Sequence, residues 1–120
     1  WLQGDGPGQV VVSQQGGVNW LMADAATGCL MTELKSDGRG GGLASEAFVA
    51  DGKWHRVAFV WDGTYRRLYV DSVLVAEDAQ NDLSPSFGQL TIGAGRKLEA
   101  DTFWTGLIDD VRVYNRAIEP

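Results

Sequence analysis

Side chains able to do acid–base, nucleophilic or metal chemistry are few in this sequence and poorly grouped. His55 is the one histidine and Cys29 the one cysteine. Structural zinc needs a full set of Cys or His ligands and finds none, and no disulfide can close within the chain. Cys29 stands in a Cys-Leu-Met run that reads as strand, where a thiol is buried and inert. His55 reads as a half-buried strand histidine. Retaining glycoside hydrolysis needs two carboxyls about 5–5.5 Å apart, but Glu77 and Asp78 are adjacent, and neighbours on a strand face opposite ways. Gly38-x-Gly40-x-x-Leu43 lacks the third glycine of a phosphate-cradling loop, and no Gly-Lys-Ser/Thr follows any glycine run. The richer resource is aromatic, with five Trp and three Tyr. Flat rings stack on sugar rings through C–H contacts, while nearby amides and carboxylates take the hydroxyls. Trp20, Tyr65 and Trp104 lie near turns or among polar neighbours and are the candidate platforms. Trp54 and Trp61 lie in a long apolar stretch and read as core. Asn19, Gln80, Asn81 and Asp82 are candidate hydroxyl partners; a solvated loop explains them equally well.

The elements that must position these groups are strands. With 120 residues, the chain is enough for one domain with one core. Its apolar share of 44% excludes disorder, so the 16 glycines read as turns within a folded body. Short apolar stretches between turn signals predict strands at 9–14, 18–23, 29–34, 44–49, 53–62, 66–70, 73–77, 89–93 and 105–115, with almost no helix. Asp71-Ser72 is a two-residue hairpin turn, where glycine would suit position 72 better because primed turns need positive φ there. Ser36-Asp37-Gly38-Arg39-Gly40-Gly41-Gly42 reads as an exposed, mobile loop. The net charge of −6 opposes nucleic acid and anionic lipid. The longest apolar run is Val57–Trp61, far short of the roughly 20 residues of a membrane span.

Asp51-Gly52-Lys53-Trp54-His55-Arg56-Val57-Ala58, then Trp61-Asp62-Gly63 and Leu68-Tyr69-Val70-Asp71, recur in a characteristic order and spacing. Further on stands Gly106-Leu107-Ile108-Asp109-Asp110-Val111-Arg112-Val113-Tyr114-Asn115-Arg116-Ala117-Ile118. Together these resemble the laminin-G-like branch of the concanavalin A-like lectin/glucanase superfamily across nearly the whole chain. The resemblance implies an all-β jelly-roll sandwich of two antiparallel sheets, with ligands at the concave face or the loop rim. Glucanases of that superfamily use paired glutamates on one strand with an aspartate between them. The nearest match, Glu99-Ala100-Asp101, lacks the second glutamate, so no enzyme is expected. Asp109 and Asp110 fall where family members help hold a structural calcium, an ion that takes six to eight oxygens. The alternative is that Asp109 caps backbone amides or pairs with Arg112.

The resemblance also implies that Trp1-Leu2-Gln3 enters partway into the family's tryptophan-bearing strand, so the domain is expected to be N-terminally short. Edges at 9–14 and 105–115 would then lack ladder partners and favour self-association, most simply as a symmetric dimer. The expected function is a non-catalytic, secreted or cell-surface binding module within a larger protein. Its expected ligand is a glycan; the competing expectation is a cell-surface protein contact or a structural role.

Overall fold

The computed structural model describes residues 1–35, 41–83 and 87–118. Ten strands and one turn of 3-10 helix fill them: β1 (Leu2–Gly4), β2 (Val10–Gly16), β3 (Asn19–Ala23), β4 (Cys29–Thr32), β5 (Leu43–Phe48), β6 (Val57–Trp61), β7 (Tyr65–Val70), β8 (Val73–Ala79), β9 (Phe87–Ile92), the turn Ala100–Thr102, and β10 (Gly106–Ile108). Residues 36–40 of the glycine-rich loop lie outside the described residues.

All pairing is antiparallel. A five-stranded sheet runs β5-β4-β3-β2-β9, a three-stranded sheet runs β6-β7-β8, and β1 pairs β10. One apolar cluster joins the three: Val11, Val12, Ala23, Leu30 and Leu43 come from the larger sheet, Leu68 and Val70 from β7, and Leu2 from β1. Burying such β-branched and leucine side chains, at about 25 cal/mol per Å², is what holds the sheets face to face.

Two predicted strands are shorter than expected. The 53–62 strand begins only at Val57, because Asp51 Oδ1 accepts from Lys53 N (3.0 Å) and Gly52 sits at φ 74°, which keeps the chain turning. Within 53–56, only His55 pairs, in a single bridge to Leu2. The 105–115 strand ends at Ile108, since Asp110 adopts φ 53° and breaks the extended run. Of the two expected edges, β10 remains one, pairing β1 alone, but the edge at 9–14 does not. β2 lies inside its sheet between β3 and β9, whereas β6 is an edge strand.

The hairpin between β7 and β8 has its anticipated primed geometry, with φ of 52° at Asp71 and 67° at Ser72. A left-handed conformation costs a non-glycine residue roughly 1–2 kcal/mol. Ser72→Gly therefore removes strain but adds unfolded-state entropy, and it loses the 3.3 Å Arg56–Ser72 hydrogen bond. The expected balance is a gain of about 0.5 kcal/mol, read as a small rise in thermal midpoint.

Candidate binding site

Strand β1 is narrow and paired on both sides. On one side Leu2, Gln3 and Gly4 face Ile108, Leu107 and Gly106. On the other, Leu2 and His55 exchange both backbone hydrogen bonds at 2.8 Å. Beyond this bridge the register slips by one residue, since Gly52 N donates to Gly4 O at 2.8 Å, and Lys53 and Trp54 together lie opposite Gln3. The pleat then sorts the side chains, because successive residues face opposite ways. Leu2 is fully buried, so the row it shares with His55 and Ile108 faces inward. The alternate residues face outward, Gln3 with Leu107 in one row and Trp1 with Asp109 in the next, while Trp54 and Arg56, on either side of the bridged His55, are exposed.

The outward row is open to solvent: Trp1 is 47% and Trp54 42% exposed. Each adjoins one member of the bridged Leu2–His55 pair, which brings the two indoles to one region of the surface. Beside them, Gln3 Nε2 donates to Gly52 O at 2.9 Å, which fixes the amide. Arg56 is fastened as well, its backbone N–H donating to Asp71 Oδ1 at 3.0 Å and its Nη1 to Ser72 Oγ at 3.3 Å. The result is a preset face of two indoles flanked by an amide, a guanidinium and a carboxylate.

His55 braces this face from below. Its Nδ1 lies 2.8 Å from Asp71 Oδ2 and its Nε2 2.8 Å from Asp51 Oδ1. The imidazole thus pins the 51–56 turn to the β7–β8 hairpin. Burial disfavours the imidazolium, but the hydrogen bonds to Asp71 and Asp51 outweigh it and raise the pKa above the ordinary 6.5. Asp71 is held below 3.8 chiefly by its His55 hydrogen bond. For Asp51, burial acts upward, and the Lys53 amide and His55 together carry the value below 3.8. The raised histidine contributes stability fully below pH 6.5 and loses it as pH rises through the folded value; the lowered carboxylates contribute above pH 3.8 and fade in acid. Thermal midpoints should therefore peak between these limits and decline above neutrality. Asp71→Asn, which tolerates the left-handed backbone, should flatten the alkaline decline; an unchanged profile in that variant would remove the brace from the account.

The residues singled out in the sequence do not gather in one place. Trp20 lies on β3 and lines a cleft between the two larger sheets, which Tyr65 and Trp104 do not reach. Tyr65 opens β7 and is 40% exposed, with the Arg67 guanidinium 5.3 Å from its ring centre. Arg67 is gripped by Asp62 (2.7 Å) and Glu77 (2.6 Å). The Tyr65 amide, Arg67 and the Thr64 amide together lower the Asp62 pKa to about 2. Trp104 lays its ring on Gly4, where a Cβ would come within 2.6 Å of it, and its Nε1 donates to Gln3 O at 3.2 Å. Trp104 supports β1 from within. Trp61, expected in the core, is only partly buried and donates to Gln80 O at 2.7 Å. Trp54, expected in the core, is instead at the surface. Asn19 receives Arg96 N at 3.2 Å through its Oδ1.

At the candidate metal position, Asp110 accepts from Arg112 Nε at 2.8 Å, so the predicted aspartate–arginine pair forms one residue later than Asp109. Both carboxylates are exposed. Among the described residues, no three His, Cys, Asp or Glu side chains form a group that could hold a metal.

A family model described as the concanavalin A-like lectin/glucanases superfamily, of laminin G type, matches residues 1–120. No curated protein and no solved structure matches the chain.

Proposed function

The chain belongs to the laminin-G-like branch of the concanavalin A-like lectin/glucanase superfamily, and we propose that it is a non-catalytic, extracellular module that binds glycans on the outward face of β1. Membership supports a binding module in general. The observation that carries the glycan reading is that two exposed indoles, Trp1 and Trp54, each adjoin a member of the bridged Leu2–His55 pair, with Gln3, Arg56 and Asp109 on the neighbouring positions. An indole offers C–H contacts to the apolar face of a sugar ring, and the fixed polar groups meet equatorial hydroxyls without reorganising. That preset geometry reduces the ordering cost of binding.

The carboxylates support the absence of catalysis. Glu99 immediately precedes the short 3-10 turn rather than standing on a strand, and its Oε1 accepts Lys97 N at 3.0 Å. Among the described residues, no helix is long and apolar enough to cross a membrane.

A glycan array followed by calorimetry on any hit tests the reading. Trp54→Ala should weaken binding at least tenfold, equivalent to about 1.4 kcal/mol. Its thermal midpoint should barely change, because the ring is already at the surface. Tyr65→Ala should bind normally. An empty array, or a hit indifferent to Trp54→Ala, would overturn the assignment.

A further inference from the structure

Resting on the glycan reading of the β1 face, we infer that the His55 side chain is a proton-operated latch. As an imidazolium it holds the turn that carries Trp54; as the solution turns alkaline it lets go, and the face loses affinity for its glycan. The argument begins with donors and acceptors. Nδ1 stands 2.8 Å from Asp71 Oδ2, and Nε2 stands 2.8 Å from Asp51 Oδ1. A carboxylate can only accept, while a neutral imidazole has one N–H and one lone pair. In either neutral tautomer, one ring nitrogen would turn its lone pair on an oxyanion. Both contacts are hydrogen bonds only when the ring carries two protons.

The charges around the ring set the direction of the switch. Asp51 on the turn and Asp71 on the β7–β8 hairpin face it, and both are held below the ordinary 3.8, so both are anions across the neutral range. The cations of the same stretch point elsewhere: Lys53 is exposed, and Arg56 Nη1 donates to Ser72 Oγ at 3.3 Å. β1, bridged to His55 through Leu2, brings no ionisable side chain. Burial of the ring, 13% exposed, disfavours its charge, but the hydrogen bonds to Asp71 and Asp51 outweigh it. The latch is therefore closed at pH 6.5 and opens above it.

Both flanks of Trp54 are tied to the ring. Asp51 Oδ1 serves His55 Nε2 and also Lys53 N at 3.0 Å, while Asp71 serves His55 through Oδ2 and Arg56 N through Oδ1 at 3.0 Å. Other ties survive deprotonation: Gly52 N to Gly4 O at 2.8 Å, Gln3 Nε2 to Gly52 O at 2.9 Å, and the Leu2–His55 backbone bridge. Opening thus loosens the indole without detaching the strand. The expected loss is partial, about fivefold in affinity, at the low end of coupling between two sites. Linkage makes the effect reciprocal: bound glycan must favour the imidazolium and move the ring's titration to higher pH.

With one histidine in the chain, one imidazole signal reports the latch by NMR. In the free protein, the Trp54 indole resonance should shift along the His55 titration curve. For a glycan from the array, affinity should fall about fivefold between roughly pH 6 and pH 9, and saturation should raise the midpoint of that curve. Two variants separate a latch from general alkaline loosening. In Asp71→Asn, the new oxygen can keep Arg56 N while the new amide donates to a neutral Nδ1, so affinity should stay level over that range. Asp51→Asn offers the ring no donor, because its Oδ1 still serves Lys53 N, and it leaves one anion instead of two. Its affinity should still fall, at lower pH than in the parent protein. An empty array at pH 6 overturns the glycan reading, and the indole signal alone then carries or sinks the latch. An indole signal indifferent to the His55 titration overturns the latch. So does a glycan affinity level with pH in the parent protein, or a decline that Asp71→Asn leaves unchanged.

Discussion

Arg66→Met should destabilise the protein by about 3 kcal/mol, more than any other single charge removal in the described chain. Arg66 is 2% exposed, on a strand whose neighbouring Arg67 is 25% exposed. Its guanidinium takes both oxygens of Asp78, the Nε–Oδ1 contact at 2.7 Å, and also donates to Leu34 O (2.7 Å) and Gly41 O (3.1 Å). Those carbonyls stand at the two ends of the β4–β5 connection. One side chain of the three-stranded sheet therefore clamps a loop of the five-stranded sheet. Removing it strands an anion and two carbonyls at once. Asp78 is 38% exposed, so water recovers part of the loss, which places the estimate at the low end of the roughly 3–5 kcal/mol typical of broken buried pairs. Arg66→Lys should recover only part, because an ammonium cannot reproduce the planar fork. Arg67→Met should barely move the thermal midpoint, as its carboxylate partners are solvated. Equal midpoints for the Arg66 and Arg67 variants would refute the clamp.

That clamp could not be read from the sequence. Arg66-Arg67 in a pleated strand shows only that one of the pair faces inward; nothing local says that Asp78, Leu34 and Gly41 converge to receive it. What was legible was whatever depends on near neighbours. Alternating apolar residues located the strands, and Asp71-Ser72 fixed its turn type. The strand ends and the aromatic roles were not legible, since both depend on remote packing. Trp54 sits beside an apolar run and reads as core, yet the Asp51-Gly52 turn and a single bridge to Leu2 put it at the surface. Trp104 has polar neighbours and reads as surface, yet it fills the space that Gly4 leaves open. The candidate face was hidden for the same reason: Trp1, Gln3 and Trp54 become one surface only through pairing between chain segments some 50 residues apart.

Gly106→Ala should undo that pairing and, with it, the proposed binding face. Gly106 sits opposite Gly4 at φ 147°, and a Cβ there would lie 2.1 Å from Gln3 O. The obstacle is backbone, so no rotamer change relieves it. The strands must separate or the residue must leave its conformation, at a cost on the order of 3 kcal/mol. Separation would carry Leu2 out of the core and free Trp1 and Gln3 from their fixed positions. Three glycine variants make the comparison. Gly106→Ala should lose both thermal stability and glycan affinity. Gly4→Ala meets the Trp104 ring at 2.6 Å, a side chain that can shift, and should lose less of each. Gly41→Ala meets nothing within 4 Å and should lose neither. Stability and affinity falling together down this series would tie the binding face to the β1–β10 ladder. If Gly106→Ala keeps full glycan affinity, the ligand is held elsewhere, and the face built by β1 is only packing.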